Sequence, residues 1–229
     1  MERIGQKTDL TLSRGETREL LLLEDTIGNG ALNSVINIRQ LERSDLTLFV
    51  ITAKGVSATN NIRIIQEEPY CRTTLYVLAV GESCQEVVNN TLIEHQSTDG
   101  WSHELAKYVL DGTSSGTFFG ELKVAPDAQR TESSQTNRNV LLSNDARVQT
   151  KPQLEIYADD VKCSHGATTG QLDEQAMFYM RQRGIGIEQA RSMLIEAFLE
   201  EIIGKLPESV AEEVRQKIYN QAVNATTEI

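Results

Sequence analysis

Cys163 and His165 stand two residues apart in "YADDVKCSHGATTG" (157–170), with Asp159, Asp160 and Lys162 just ahead of them. A cysteine nucleophile needs a base that stabilises its thiolate, usually histidine, and a third group to orient that base. If the stretch is extended, Cys163 and His165 project from the same face, because side chains alternate along a strand. That geometry serves a nucleophile and its base, two neighbouring soft ligands, or the plain end of a strand. No glycine-rich oxyanion loop accompanies the pair. Cys71 and Cys84 have twelve residues between them and no CxxC occurs, which argues against a closed four-ligand zinc site. From the residues alone a plain strand end comes first, and an open ligand pair completed by another subunit comes second.

The remaining reactive residues offer less. Asp159 and Asp160 would make a poor acid–base pair, since adjacent strand residues face opposite ways, and a solvated corner suits them better. His95 in "LIEHQS" and His103 in "WSHEL" have no spaced partners and read as surface or hydrogen-bonded histidines. No P-loop is present, and "RGIGIE" is too short for a dinucleotide fingerprint.

The elements that must position these groups follow from composition and pattern. The chain has 229 residues and a formal net charge of −11, which argues against nucleic acid or an anionic membrane as the main partner. Aromatics make up 5%, so the core is expected to be stacked small aliphatics. No apolar run approaches the ~18 residues of a membrane span, and the first residues carry no secretory h-region. Three cysteines without framework spacing are expected as reduced thiols. These features together read as an acidic cytoplasmic protein.

Residues 1–170 read as short strands, among them 45–52, 61–65, 73–80, 120–125, 139–143 and 154–158, punctuated by Gly, Asn, Asp and Ser. Asn60-Asn61 recurs as Asn89-Asn90, 29 residues on; further steps of 29 land on 117–124 and 146–150. Such a period fits a β-helix, with Asn expected at corners that need left-handed backbone. After Gly170 the period changes. Three helices are expected: 172–184 stopped by Gly184, 187–206 weakened by Gly204, and a third opened by Pro207 and fading after Ala222. Their apolar stripes are expected to pack on the chain itself. The division expected is a β-helix core over 1–170 and a helical subdomain over 171–229.

The block 141–185, with "TKPQLEIYADDVKCSHGAT" followed by Q-L-D-E-Q-x-x-F-Y and R-G-I, closely resembles the SufB/SufD family of scaffold subunits in SUF iron–sulfur cluster assembly. "CSHGAT" is the SufD form; SufB reads differently at that point. A weaker likeness extends back to about residue 85 through "NNTLIEH" and "APDAQRTESSQTNRN". The resemblance implies a right-handed parallel β-helix followed by a C-terminal α-helical subdomain. It implies a non-enzymatic scaffold that pairs with SufB through the β-helix and docks the SufC ATPase on its helices. His165 then lies at the cluster-assembly interface beside Cys163, as a contributor to a nascent Fe–S cluster shared with SufB. The SufC-facing segment maps onto Phe178, Tyr179, Arg181, Arg183 and Gly184. No cofactor is expected on the chain alone, only a transient Fe–S cluster between the two subunits. SufD proteins also carry an N-terminal helical region, whereas this chain begins almost directly with strands.

Two other classes compete. A β-helix enzyme acting on polysaccharide would want aromatic platforms, paired carboxylates and usually secretion. A stand-alone homodimer would use the same β-helix edge on itself.

Overall fold

The computed structural model describes residues 1–25 and 31–219. Among the described residues thirteen strands run in two parallel sheets, and the chain alternates between them. One sheet is ordered β1(Glu2–Arg3), β3(Thr17–Glu24), β5(Asp45–Thr52), β7(Arg72–Gly81), β9(Trp101–Leu110), β11(Glu132–Leu141), β13(Lys162–Gly170). The other is ordered β12(Arg147–Ile156), β10(Ser115–Val124), β8(Glu86–His95), β6(Ala58–Gln66), β4(Leu32–Gln40), β2(Lys7–Leu12). Each strand therefore pairs with the strands one coil before and one coil after, which is the topology of a parallel β-helix. The expected strands all overlap these elements; 45–52, 61–65 and 73–80 lie within them, whereas 120–125, 139–143 and 154–158 run one or two residues past the ends of β10, β11 and β12.

Alternation of buried and exposed positions explains why the segments stay extended. In β10 the pattern is a strict intermediate–buried repeat that turns Phe118, Leu122 and Val124 inward. Stacked coils convert such positions into aliphatic columns, including Leu20–Leu48–Leu75 and Leu46 at their side. Each such Leu or Ile contributes about 1.5–3 kcal/mol by leaving water.

The Asn pair occupies the register expected but not the place. Asn60 pairs with Asn89 and Asn61 with Asn90, yet all four lie within strands rather than at corners. Asn60 and Asn89 point inward, are fully buried, and form a ladder in which Asn60 Nδ2 donates to Asn89 Oδ1 at 2.9 Å. Asn89 Nδ2 donates to the Tyr108 hydroxyl at 2.6 Å. An amide carries both donor and acceptor, so one Asn can donate to an identical Asn a coil away inside the core, although Asn60 Oδ1 itself is left without a partner among the described residues. The left-handed corners belong to other residues. Gly15, Arg43, Tyr70, Asp99 and Arg130 stack as one corner column; Gly55, Ser83 and Gly112 form another. The first column is tied by main-chain bonds such as Asp99 N to Gln129 O (2.9 Å) and ends at Arg130 N to Asp160 O (2.6 Å).

The period holds at 29 from β6 to β8 and from β8 to β10. It breaks at the last step, because Ser115 pairs with Arg147, 32 positions on. Thr117 therefore meets Gln149 and not Ala146, since the connections between those strands are longer.

Three helices follow: α1(Glu174–Gln182), α2(Ile187–Ile203) and α3(Glu208–Tyr219). Asp173 caps α1 by accepting from Gln175 N at 2.8 Å and Ala176 N at 3.2 Å. Gly184 ends it with φ 84°, and Gly204 caps α2. The expected fading of the third helix after Ala222 lies outside the described residues. A second core forms where Leu199, Ile202 and Ile203 of α2 and Ala211, Val214 and Ile218 of α3 cover Phe49, Ile51, Leu78, Val80 and Val109 on the outer face of the larger sheet. The stripe of α1 behaves otherwise. It lies against α2 but buries no residue fully, with Ala176, Met177 and Met180 only half-buried, so it packs on the chain less closely than expected. Among the described residues, no helix is long and apolar enough to cross a membrane.

Candidate functional site

β13 is the last strand of its sheet, and β12 the last of the other, so among the described residues the coil they form has a neighbouring coil on one side only. In β11, Ser133, Gln135, Asn137 and Asn139 face inward and are buried. Register pairs Ser133 with Cys163, Gln135 with His165 and Asn137 with Ala167. Cys163 and His165 thus continue two inward columns by one step, at the point where the columns run out. Cys163 is half-buried against the interior core, whereas His165 is exposed. A Cβ on Gly166 or Gly170 of the same strand would meet nothing within 4 Å, as befits an uncovered coil end.

The column beneath Cys163 is hydroxylic. His95 Nε2 lies 2.9 Å from Ser102 Oγ, and Ser102 Oγ lies 2.5 Å from Ser133 Oγ. Ser133 is the register partner of Cys163. His95 is fully buried, and burial pushes its imidazole down to about 4. A hydrogen-bonded histidine was expected at position 95, but a completely buried one was not. His103 is half-buried on the outer face and pairs through Nδ1 with Ser134 Oγ at 2.8 Å.

The column beneath His165 is built from a carboxyl and an amide. Glu104 is buried, and its Oε2 accepts from Gln135 Nε2 at 2.7 Å. Burial pushes the Glu104 carboxyl up to about 7, against the opposing pull of the Gln135 amide. Sequence reasoning missed Glu104, Gln135 and Ser133. The signal was available in register, because these polar residues stand at inward positions one or two coils before Cys163 and His165.

The chemistry of the pair is limited by its surroundings. Burial raises the Cys163 thiol above its usual range, partly offset by a main-chain hydrogen bond from Ser133. A thiol held protonated is a poor nucleophile. Among the described residues His165 makes no hydrogen bond or ion pair, so nothing orients it as a base. Among the described residues no group of three or more His, Cys, Asp or Glu is placed to hold a metal ion. Cys163 and His165 offer two soft donors where a closed zinc or iron–sulfur site needs about four. Asp159 and Asp160 are exposed at the corner that ends the Arg130 ladder, so no acid–base pair forms there. All three cysteines are free thiols, with Cys71 buried and Cys84 exposed.

A second surface lies on α1. Phe178 and Tyr179 are 64% and 59% exposed, and the Arg183 guanidinium sits 5.0 Å from the centre of the Tyr179 ring. Arg181 and Arg183 are exposed beside them, and Gly184 sets the turn that follows. An α-helix keeping two large aromatics in water has an unused apolar face.

The family model for the SufBD core domain of the SUF system for FeS cluster assembly matches residues 21–198. The chain belongs to that family. The SufBD match reaches well ahead of residue 85, where recognisable motifs begin, and takes in strands whose letters carry little beyond general β character. Escherichia coli iron–sulfur cluster assembly protein SufD is 46% identical over 112 residues, covering 49% of this chain and 26% of SufD. A SufBD family protein of Synechocystis is 35% identical over 170 residues, covering 74% of this chain and 38% of that protein. One of Mycobacterium leprae is 35% identical over 130 residues, covering 53% and 33%. The chain therefore spans well under half the length of these SufBD relatives.

Proposed function

We propose that this chain is a non-enzymatic scaffold subunit of the SUF assembly, working in the cytoplasm. Its uncapped β-helix end meets a SufB partner, and α1 docks the SufC ATPase. The observation that carries the reading is the ending of two inward columns at Cys163 and His165. An incomplete donor pair on a bare coil end fits a site finished by another chain, because solenoid ends need covering and soft-metal sites need more than two ligands. The Fe–S cluster is then cargo formed between subunits. His165 supplies a donor from this side, and Cys163 lines the site. ATP hydrolysis belongs to the partner ATPase, gripped through Phe178, Tyr179, Arg181 and Arg183.

The test is anaerobic cluster reconstitution on the complex co-expressed with SufB and SufC, comparing His165→Ala with the parent by visible absorption. A chromophore that falls sharply while the complex survives supports the reading, and an unchanged chromophore removes His165 from the cluster site. Phe178→Ala with Tyr179→Ala should abolish co-purification of the ATPase while SufB still binds. In isolation the same bare end pairs with a second copy, and size exclusion with and without SufB separates the two states.

A further inference from the structure

Gln135 holds an unspent acceptor directly beneath His165. Its Nε2 is committed to Glu104 Oε2 at 2.7 Å. Its Oε1 is buried and has no hydrogen-bond partner among the described residues. The amide is held in place across the interior as well. A Cβ on Gly120 would lie 2.5 Å from Gln135 Nε2, so the absence of a side chain at Gly120 leaves the space the amide fills. Above about pH 7, where Glu104 is ionised and can only accept, it dictates which end of the amide faces it and leaves the oxygen for another donor. The next inward position, one strand spacing of about 4.8 Å away, is His165. A buried acceptor left unpaired is costly, a standing incentive for a nearby N–H to reach it.

We propose that Gln135 is the positioning residue of His165: the imidazole turns inward over β11 and donates one ring N–H to Gln135 Oε1. An acceptor on one ring nitrogen fixes the proton there and leaves the other nitrogen with its lone pair. The lone pair then faces the open end of the coil, where a soft ion or a partner's donor would meet it. In this arrangement Glu104 acts on His165 only through Gln135. The proposal takes its purpose from the interface reading above, but the bond itself belongs to this chain alone.

The experiment uses the full chain labelled with ¹⁵N-histidine, with no partner and no cluster. His165 is identified by the signals lost in His165→Ala. The ring nitrogen shifts above the titration range report the tautomer. In the parent chain His165 should sit predominantly in one tautomer, and Gln135→Met should return it to the mixture of an unconstrained imidazole, with His95 and His103 unmoved. Glu104→Gln, which frees the amide to flip, should weaken the bias in the same direction and serves as the second variant if Gln135→Met does not fold. An unconstrained mixture in the parent chain overturns the proposal, as does a bias that survives either folded variant. Failure here leaves cluster formation untouched, and failure of the scaffold reading leaves the tautomer untouched.

Discussion

Lys107 Nζ, on the outer face of β9, donates to the main-chain carbonyl of Phe198 in α2 at 2.6 Å. The same ammonium is paired with Glu201 and lies 4.1 Å from the centre of the Phe198 ring. Its side chain is only 2% exposed, so this cation is buried between the β-helix and the helix that covers it. Glu201 also pairs with Arg138 on β11 at 3.0 Å. Helix α2 is thus pinned to two adjacent strands by charge as well as by its apolar face.

Lys107→Met should therefore loosen α2 more than the β-helix. We expect a loss of about 1–2 kcal/mol, mainly from the main-chain bond given up by the buried ammonium, with little from the ion pair because Glu201 is partly exposed. Hydrogen exchange should show α2 and α3 losing protection while β4 to β8 keep theirs. A uniform loss across both regions would mean that Lys107 supports the whole fold and not the docking of the helices.

Two buried titratable groups work against each other in pH. Glu104, raised by burial from its ordinary 4.5 to about 7, binds its proton more tightly when folded. Its contribution to stability is full below about pH 4.5 and is lost as pH rises through about 7. His95, lowered by burial from its ordinary 6.5 to about 4, has the opposite slope. Its contribution is full above about pH 6.5 and is lost as pH falls through about 4. Each is worth about 3 kcal/mol across its window, so the two nearly cancel. Glu104→Gln should give a chain whose urea midpoint rises between about pH 5 and 7, and His95→Gln one whose midpoint falls. Parallel slopes in the two variants would contradict the burial of one or the other.

Gly120 and Gly166 make a matched pair of substitutions on the same solenoid. A methyl at Gly120 would lie 2.5 Å from Gln135 Nε2 and 2.6 Å from Phe118 Cζ, whereas one at Gly166 meets nothing. Gly120→Ala should cost about 1–3 kcal/mol by overpacking. Gly166→Ala should be neutral or slightly stabilising by restricting the unfolded chain. Thermal melts distinguish them, and equal effects would mean that the interior near Gly120 has room to give.

Alkylation should rank the three thiols. Cys84 is exposed, Cys163 half-buried and Cys71 buried, and burial raises the thiols of both Cys71 and Cys163. Iodoacetamide at mildly alkaline pH should modify Cys84 first, Cys163 next and Cys71 last, as read by mass spectrometry. Fast labelling of Cys163 ahead of Cys84 would point to an activated thiolate and restore the nucleophile reading.

Local signals in the sequence were the ones that carried through to the structure. Gly184, Gly204 and Pro207 mark helix ends because capping depends on a few neighbouring residues. Runs such as 45–52 and 73–80 mark strands because their aliphatics have nowhere else to go. Register carried only as far as the coils kept their length, so Asn60 met Asn89 as expected, and Arg147 arrived three places late. The facing of a residue was legible only where alternation was clean. Asn60 and Asn89 look like turn formers, but their burial is decided by the coil above and the coil below. Cys163 and His165 could be put on one face from spacing alone. That this face is the interior, and that it is bare, depends on which strand happens to be last.

The corner columns and strand ladders join each coil only to its immediate neighbours, and this has a consequence for how the site comes into being. A middle coil is held from both sides, but the coil of β12 and β13 is held from one. In such a stack order propagates outward from the interior coils, and the terminal one opens at the lowest free energy. The residues of this bare end are then the last to settle as the protein folds and the first to fray. Covering that end supplies the missing neighbour, so assembly and the final step of folding become one event.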